Sequence, residues 1–284
     1  MNVLSLFDGM SCGQIALNRA GIKYDKYFAS EIDTHAMKVT LDNYPDTIQL
    51  GSVLDLNGSE LPKIDLLIGG SPCQSFSRAG NGTGFDGKSG LFWEYVRIKN
   101  EINPKYFLLE NVKMKKEWED IITKELGVEP IMINSNLVSA QNRERLYWTN
   151  IPIINLPEDR GILIKDIVDL NSNDFEYIDD YKTKIRVFKK NYLQYDINGT
   201  GHGSQDQRAY YLSGKHGCLD TGASGKAKIL ENDGRVRKIT RNEGERLQCV
   251  PIDYTISVSR SQALKMLGNG WTVDVIAHIF KNIK

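Results

Sequence analysis

The strongest constraint on this chain is an order repeated along its first half. A short apolar run is followed by glycines or a carboxylate, and then by a segment of helical period. Residues 3–6 lead into Phe7-Asp8-Gly9-Met10-Ser11-Cys12-Gly13 and a helical stretch over 14–20; residues 27–30 end in Glu31 ahead of a helical 34–43. A third strand is expected near 48–54, ahead of Asp55. Asp65-Leu66-Leu67-Ile68 runs into Gly69-Gly70-Ser71-Pro72-Cys73, and Tyr106-Phe107-Leu108-Leu109 into Glu110-Asn111-Val112. Strands alternating with helices predict an α/β fold around a mostly parallel sheet. In such sheets ligands bind beyond the carboxyl ends of the strands, so the residues there are the candidates for function.

Each candidate also has a plainer reading. Cys73 sits past a strand end behind a proline, where a thiolate can act as a nucleophile or a small cysteine can simply close a turn. The first turn has G-x-x-x-G spacing, which suits an amino-acid or nucleoside cofactor better than a pyrophosphate. Glu31 can accept both ribose hydroxyls of a nucleoside, or complement the dipole of the helix after it. Asp55 can meet an adenine amine or make a turn. In Gln141-Asn142-Arg143-Glu144-Arg145 an extended backbone would aim residues 141, 143 and 145 one way. Two guanidiniums on one face suit a phosphate or carbonyl oxygen; salt bridges to Glu144 are the alternative.

The remaining patterning places these motifs. Leu91, Tyr95, Ile98 and Ile102 fall at helical spacing before Pro104, and residues 131–138 and 146–149 continue the strands. The glycine-rich segment 80–90 reads as a mobile lid. From Asn155 to about Gly234 periodicity is poor and polar loops dominate, which predicts a smaller, irregular second domain. Between Tyr181 and Arg241 there are 13 basic and 5 acidic residues, within a chain whose formal net charge is zero. That is the footprint of phosphate contacts, or a solvated loop with incidental lysines. Thr240 with Glu243 forms a capping box, and Val273, Ile276, Ala277 and Phe280 mark a final amphipathic helix. The four cysteines form no CxxC pair, which argues against a zinc site and a disulfide scaffold, so no metal is expected. No signal peptide or membrane span is expected, which points to the cytoplasm.

Taken together, these motifs resemble those of the C5-cytosine-specific DNA methyltransferases, of bacterial or phage type with some similarity to the mammalian de novo branch. Pro72-Cys73-Gln74, Glu110-Asn111-Val112, Gln141-x-Arg143-x-Arg145, Arg246-Leu247-Gln248 and Leu267-Gly268-Asn269-Gly270-Trp271 stand in that family's order over nearly the whole chain. The resemblance implies a Rossmann-like S-adenosylmethionine-dependent fold with a target-recognition domain. It implies that Cys73 attacks C6 of a flipped cytosine, that Glu110 contacts N3 and that Arg145 holds O2, with Arg143 supporting the loop or thiolate. Phe7, Asp8, Gly9, Met10, Gly13, Glu31, Ile32, Asp55, Leu56, Pro72, Leu91, Asn269, Gly270 and Trp271 would bind S-adenosylmethionine, leaving S-adenosylhomocysteine. The family usually places an aromatic where Ile32 stands, so adenine would pack there without stacking. Arg78, Lys88, Gln205 and Arg208 would contact DNA, Gln205 filling the vacated space and Arg208 reading guanine.

The expected layout is a catalytic domain of residues 1–155, completed by 258–284, with recognition by 156–257. The expected partner is double-stranded DNA, with pairing to a restriction endonuclease as an option and a monomer as the working form. Two other functions fit the same motifs: a tRNA cytosine-C5 methyltransferase, and a DNA-binding relative without catalysis.

Overall fold

The computed structural model describes residues 1–72, 85, 90–169, 172, 174–178, 185–196 and 207–284. It divides into two compact units: residues 1–134, 144–156 and 273–284 form the first, and residues 135–143 and 157–272 the second. Segments 135–143 and 258–272, which the sequence groups with the first part, belong to the second unit.

The first unit is a seven-stranded sheet. In chain order its strands are β1 (Asn2–Leu6), β2 (Lys26–Ser30), β3 (Ile48–Gln49), β4 (Leu66–Gly70), β5 (Tyr106–Val112), β6 (Ile131–Asn134) and β7 (Glu144–Thr149). Their spatial order is β3-β2-β1-β4-β5-β7-β6. The first five pair in parallel and β7 runs antiparallel to both β5 and β6. Helices α1 (Cys12–Ala20), α2 (Thr34–Asn43), α3 (Phe92–Ile102) and α4 (Lys116–Leu126) connect them, and the C-terminal helix Val273–Phe280 packs on α1. The core contains Leu4, Leu67, Phe92, Tyr95 and Trp148, all fully buried. Gly13 is needed for close packing here. A Cβ on it would lie 2.5 Å from both the Tyr27 hydroxyl and Ile68 Cδ1, so α1 can approach the strands only without a side chain at that point.

Two expectations change and one element is new. The third strand is only two residues long, and Asp55 lies in a 3-10 turn over Val53–Asp55. Strand β5 continues through Glu110 to Val112, so Glu110 lies within the sheet and not beyond it. Helix α4 has no counterpart in the sequence reading: its buried Ile122 and Leu126 are too few to register beside so many charged neighbours.

The second unit carries a five-stranded sheet that its poor periodicity hides. Strands β8 (Ile185–Phe188), β9 (Tyr192–Asp196), β10 (Arg208–Tyr211), β11 (Lys228–Leu230) and β12 (Val236–Lys238) lie in the order β12-β11-β10-β9-β8. All neighbours are antiparallel except β10 and β11. Helices α5 (Ala223–Lys226), α6 (Arg241–Leu247) and α7 (Arg260–Asn269) complete the unit, and the C-terminal helix of the first unit is α8. The expected capping box is present: Thr240 Oγ1 accepts from Glu243 N at 3.1 Å, and the Glu243 carboxylate accepts from Thr240 N at 2.8 Å. Glu243 also takes a bidentate ion pair from the equally buried Arg237, at 2.7 and 2.9 Å. Among the described residues no helix is long and apolar enough to cross a membrane, and no group of three or more His, Cys, Asp or Glu could hold a metal ion.

Candidate active site

The sheet register builds one end of the site. Gly70, the last residue of β4, pairs with Glu110 on β5, and Glu110 stands opposite Tyr147 on β7. Arg145 is two residues before Tyr147, so it is the diagonal neighbour of Glu110 on the same sheet face. The two side chains meet there, Arg145 Nε lying 2.9 Å from Glu110 Oε1, and both are largely buried. Arg145 Nη1 also donates to the Glu144 carbonyl at 2.8 Å. Next to this pair, the Asn111 amide donates to Ser71 Oγ at 3.1 Å and to the Ser71 carbonyl at 3.3 Å. That contact fixes the start of the Ser71-Pro72-Cys73 segment against β5. The sequence reading did not single out Asn111, although it stands inside the Glu110-Asn111-Val112 motif. Cys73, Arg78, Lys88 and Gln205 lie outside the described residues, as does most of the glycine-rich segment.

The other end is built from the turns after β1 and β2. Phe7, Gly9 and Ser11 all have positive φ, at 57°, 60° and 63°, and only Gly9 adopts that conformation without steric cost. The turn is held across the sheet by Glu31. Its Oε2 accepts from Gly9 N at 2.8 Å, while Oε1 accepts from Ile32 N at 2.7 Å and Asp33 N at 2.8 Å. A carboxylate has about four acceptor sites, so three amides do not exhaust it. A Cβ at Gly9 would meet nothing within 4 Å, and Ile32 is 75% exposed. Open space, an exposed aliphatic and a carboxylate with acceptor capacity left are features that could hold a nucleoside. Asp55 is exposed and Pro72 and Leu91 are partly so, leaving their surfaces available as well.

Other expected cofactor residues face the core. Met10 and Leu56 are buried, and their side chains belong to the packing of the first unit. Gly13 contributes the helix–strand approach described above. Asp8 is turned to Tyr27, whose hydroxyl donates to its Oδ1 at 2.8 Å. Oδ2 is buried without a partner, and burial pushes the carboxyl up to about 6. Asp8 therefore supports the turn from beneath.

Arg143 does not share a face with Arg145. It belongs to the second unit, where its guanidinium donates to the carbonyls of Leu219, Gly268 and Gly270 at 2.9, 3.1 and 2.8 Å. The extended run over 141–145 is broken because β7 begins only at Glu144. Asn269, Gly270 and Trp271 also lie in the second unit. Arg208, on β10, packs its guanidinium 4.9 Å from the centre of the Tyr192 ring, and its Nε is buried.

Comparison with known proteins identifies the family. The profile of the C-5 cytosine-specific DNA methylase family matches residues 1–284. This chain belongs to that family. Among its relatives, the type II methyltransferase M1.ScrFI of Lactococcus lactis subsp. cremoris is 30% identical over 314 residues, covering 96% of this chain and 75% of the relative. The orphan methyltransferase M.SPRI of Bacillus phage SPR is 38% identical over 173 residues. That match covers 56% of this chain but only 38% of the phage protein. The Entamoeba histolytica methyltransferase EhMeth has the same fold, with a TM-score of 0.75 at 17% identity over 100% of this chain and 99% of that one.

Proposed function

We propose that this chain is a DNA (cytosine-5)-methyltransferase acting on a cytosine flipped out of double-stranded DNA. The observation that carries the reading is the Glu110–Arg145 pair at 2.9 Å, register-locked beside the end of β4 that leads to Cys73. C5 of cytosine is too weak a nucleophile to take a methyl group unaided. In the proposed reaction the Cys73 thiolate forms a bond to C6 while Glu110 delivers or shares a proton at N3. Electron density then moves to C5. Arg145 holds O2 and keeps Glu110 oriented. C5 takes the methyl group, its own proton leaves to a base, and the S–C6 bond breaks to restore the aromatic ring. S-adenosylmethionine would supply the electrophilic methyl, held by the turn at Phe7–Gly9, Glu31, Ile32, Asp55, Pro72 and Leu91; the family resemblance also assigns Asn269–Trp271 to the cofactor. Flipping costs a few kcal/mol, which contacts from Arg78, Lys88, Gln205 and the basic second unit would offset. We also propose that the second unit reads the target and that the protein works as a cytoplasmic monomer. Pairing with a restriction endonuclease fits the type II relative.

Fluorine at C5 blocks the final proton loss and so traps the adduct. With S-adenosylmethionine present, a duplex carrying 5-fluorocytosine at the target should give a covalent complex that survives denaturing electrophoresis, and Cys73→Ser should give none. An adduct formed only with tRNA would move the substrate to RNA. Binding without an adduct on either nucleic acid would indicate a relative without catalysis.

A further inference from the structure

The last turn of a helix leaves carbonyls without intrahelical partners, and in α7 these are answered by two side chains distant in sequence. Gln248 Nε2 donates to the Leu267 carbonyl at 2.6 Å and to that of Gly270 at 3.3 Å. Arg143 Nη2 donates to the carbonyls of Gly268 and Gly270 at 3.1 and 2.8 Å. The Gly270 carbonyl is thus held from two sides, immediately between Asn269 and Trp271. A cation at a helix C-terminus is also favoured by the helix dipole.

The clamp is itself braced. Gln248 Oε1 accepts from Thr272 Oγ1 at 2.7 Å and from the Gln141 amide at 3.2 Å, and Ser135 Oγ donates to Thr272 Oγ1 at 2.8 Å. Arg143 and Gln248 are almost completely buried. The backbone at Asp220 lies so close that a Cβ on Gly268 would be 2.0 Å from its carbonyl oxygen, so α7 packs there only with glycine at that position. All these groups lie in the second unit.

We infer that Arg143 and Gln248 are positioning residues that preset the Asn269–Trp271 segment for S-adenosylmethionine. The inference rests on the methyltransferase reading above. Loss of either clamp residue lets the segment sample other conformations, and the cost of ordering it is then charged to cofactor binding.

The test uses the full chain with Arg143→Lys, Gln248→Ala and the near-isosteric Thr272→Val. S-adenosylhomocysteine affinity is measured by calorimetry, and transfer kinetics are measured at saturating cofactor. Arg143→Lys and Gln248→Ala should weaken S-adenosylhomocysteine about tenfold or more while kcat changes less than about threefold, the pattern of lost binding and not of lost transition-state contact. Amide exchange should quicken over 267–272 and stay unchanged in β4. Thr272→Val, which removes one bracing hydroxyl but leaves both clamp side chains, should move in the same direction by less and keeps the test alive if the larger changes unfold the protein. Unchanged affinity with a large fall in kcat would overturn the inference and return Arg143 to the reacting base. Wild-type protein that binds no S-adenosylhomocysteine would sink the methyltransferase reading and the clamp with it. Normal wild-type binding with unaltered variants would sink the clamp alone.

Discussion

The two units differ in their buried polar groups. In the first, parallel strands bury near-continuous apolar runs, and its packing is dominated by side chains such as Leu4, Leu67, Phe92 and Trp148. In the second, the sheet has a small apolar cluster of Leu193, Ala209 and Val236, while Arg143, Arg237, Glu243, Glu245 and Gln248 are all buried. These polar groups are matched individually. The Glu245 carboxylate, for example, accepts from Asp253 N, Thr255 N and Thr255 Oγ1 at 2.8, 2.8 and 2.6 Å. Apolar packing is non-directional and tolerates repacking, whereas a buried polar network fails when one member is lost. The first unit should therefore be sensitive to volume and the second to charge.

The sharpest break of this comparison is at Arg237. Replacing it with Ala or with the volume-matched Met strands Glu243 in a buried site, and either change should cost about 3–5 kcal/mol in urea unfolding. If Arg237→Met is as stable as wild type, the contrast between the units is wrong. In the first unit Leu67→Ala should cost about 2–5 kcal/mol, yet the volume-conserving Leu67→Met less than about 1.5 kcal/mol.

The pH dependence of unfolding should separate the units next. Burial raises Asp8 in the first unit to about 6 and lowers His216 in the second to about 4. A carboxyl raised in the folded state costs nothing below its unfolded value near 4 and destabilises progressively as pH rises through 6. A histidine lowered in the folded state costs nothing above 6.5 and destabilises as pH falls towards 4. Asp8→Asn should therefore remove a penalty of about 2–3 kcal/mol at pH 7 and steepen the loss of stability on acidification, which His216 then dominates. A profile unchanged by Asp8→Asn would show that this carboxyl does not titrate in the folded protein as described. The smallest effect is expected at the exposed Lys38–Asp42 pair, 2.7 Å apart on α2. Lys38→Ala should change stability by no more than about 0.5 kcal/mol, and that small loss should vanish in high salt.

Legibility in the sequence follows the same division. Strands β1, β2, β4 and β5 and helices α1, α2, α3 and α8 were apparent because an apolar stripe or run repeats at the period of the element. The capping box at Thr240 could be read because both partners lie within four residues. The sheet of the second unit was not apparent, since its strands are three to five residues long and held by contacts such as Arg237–Glu231 and Arg237–Glu243. The same limit applied to the site. Motif order marked Glu110 and Arg145 individually, but their pairing depends on a diagonal across β5 and β7.

The local order of the chain was enough to determine an α/β sheet, the residues at its strand ends and the family, because periodicity and short motifs involve neighbours in sequence. Tertiary structure alone decided which of those residues meet. Arg143 and Arg145 are two positions apart, yet one clamps backbone carbonyls in the second unit and the other pairs with Glu110 in the first. Asp8, beside the expected cofactor turn, proved to face Tyr27 and the core. Side-chain direction at a unit boundary or a strained turn depends on which backbone groups arrive from elsewhere in the chain to be satisfied, and adjacent residues carry no record of that.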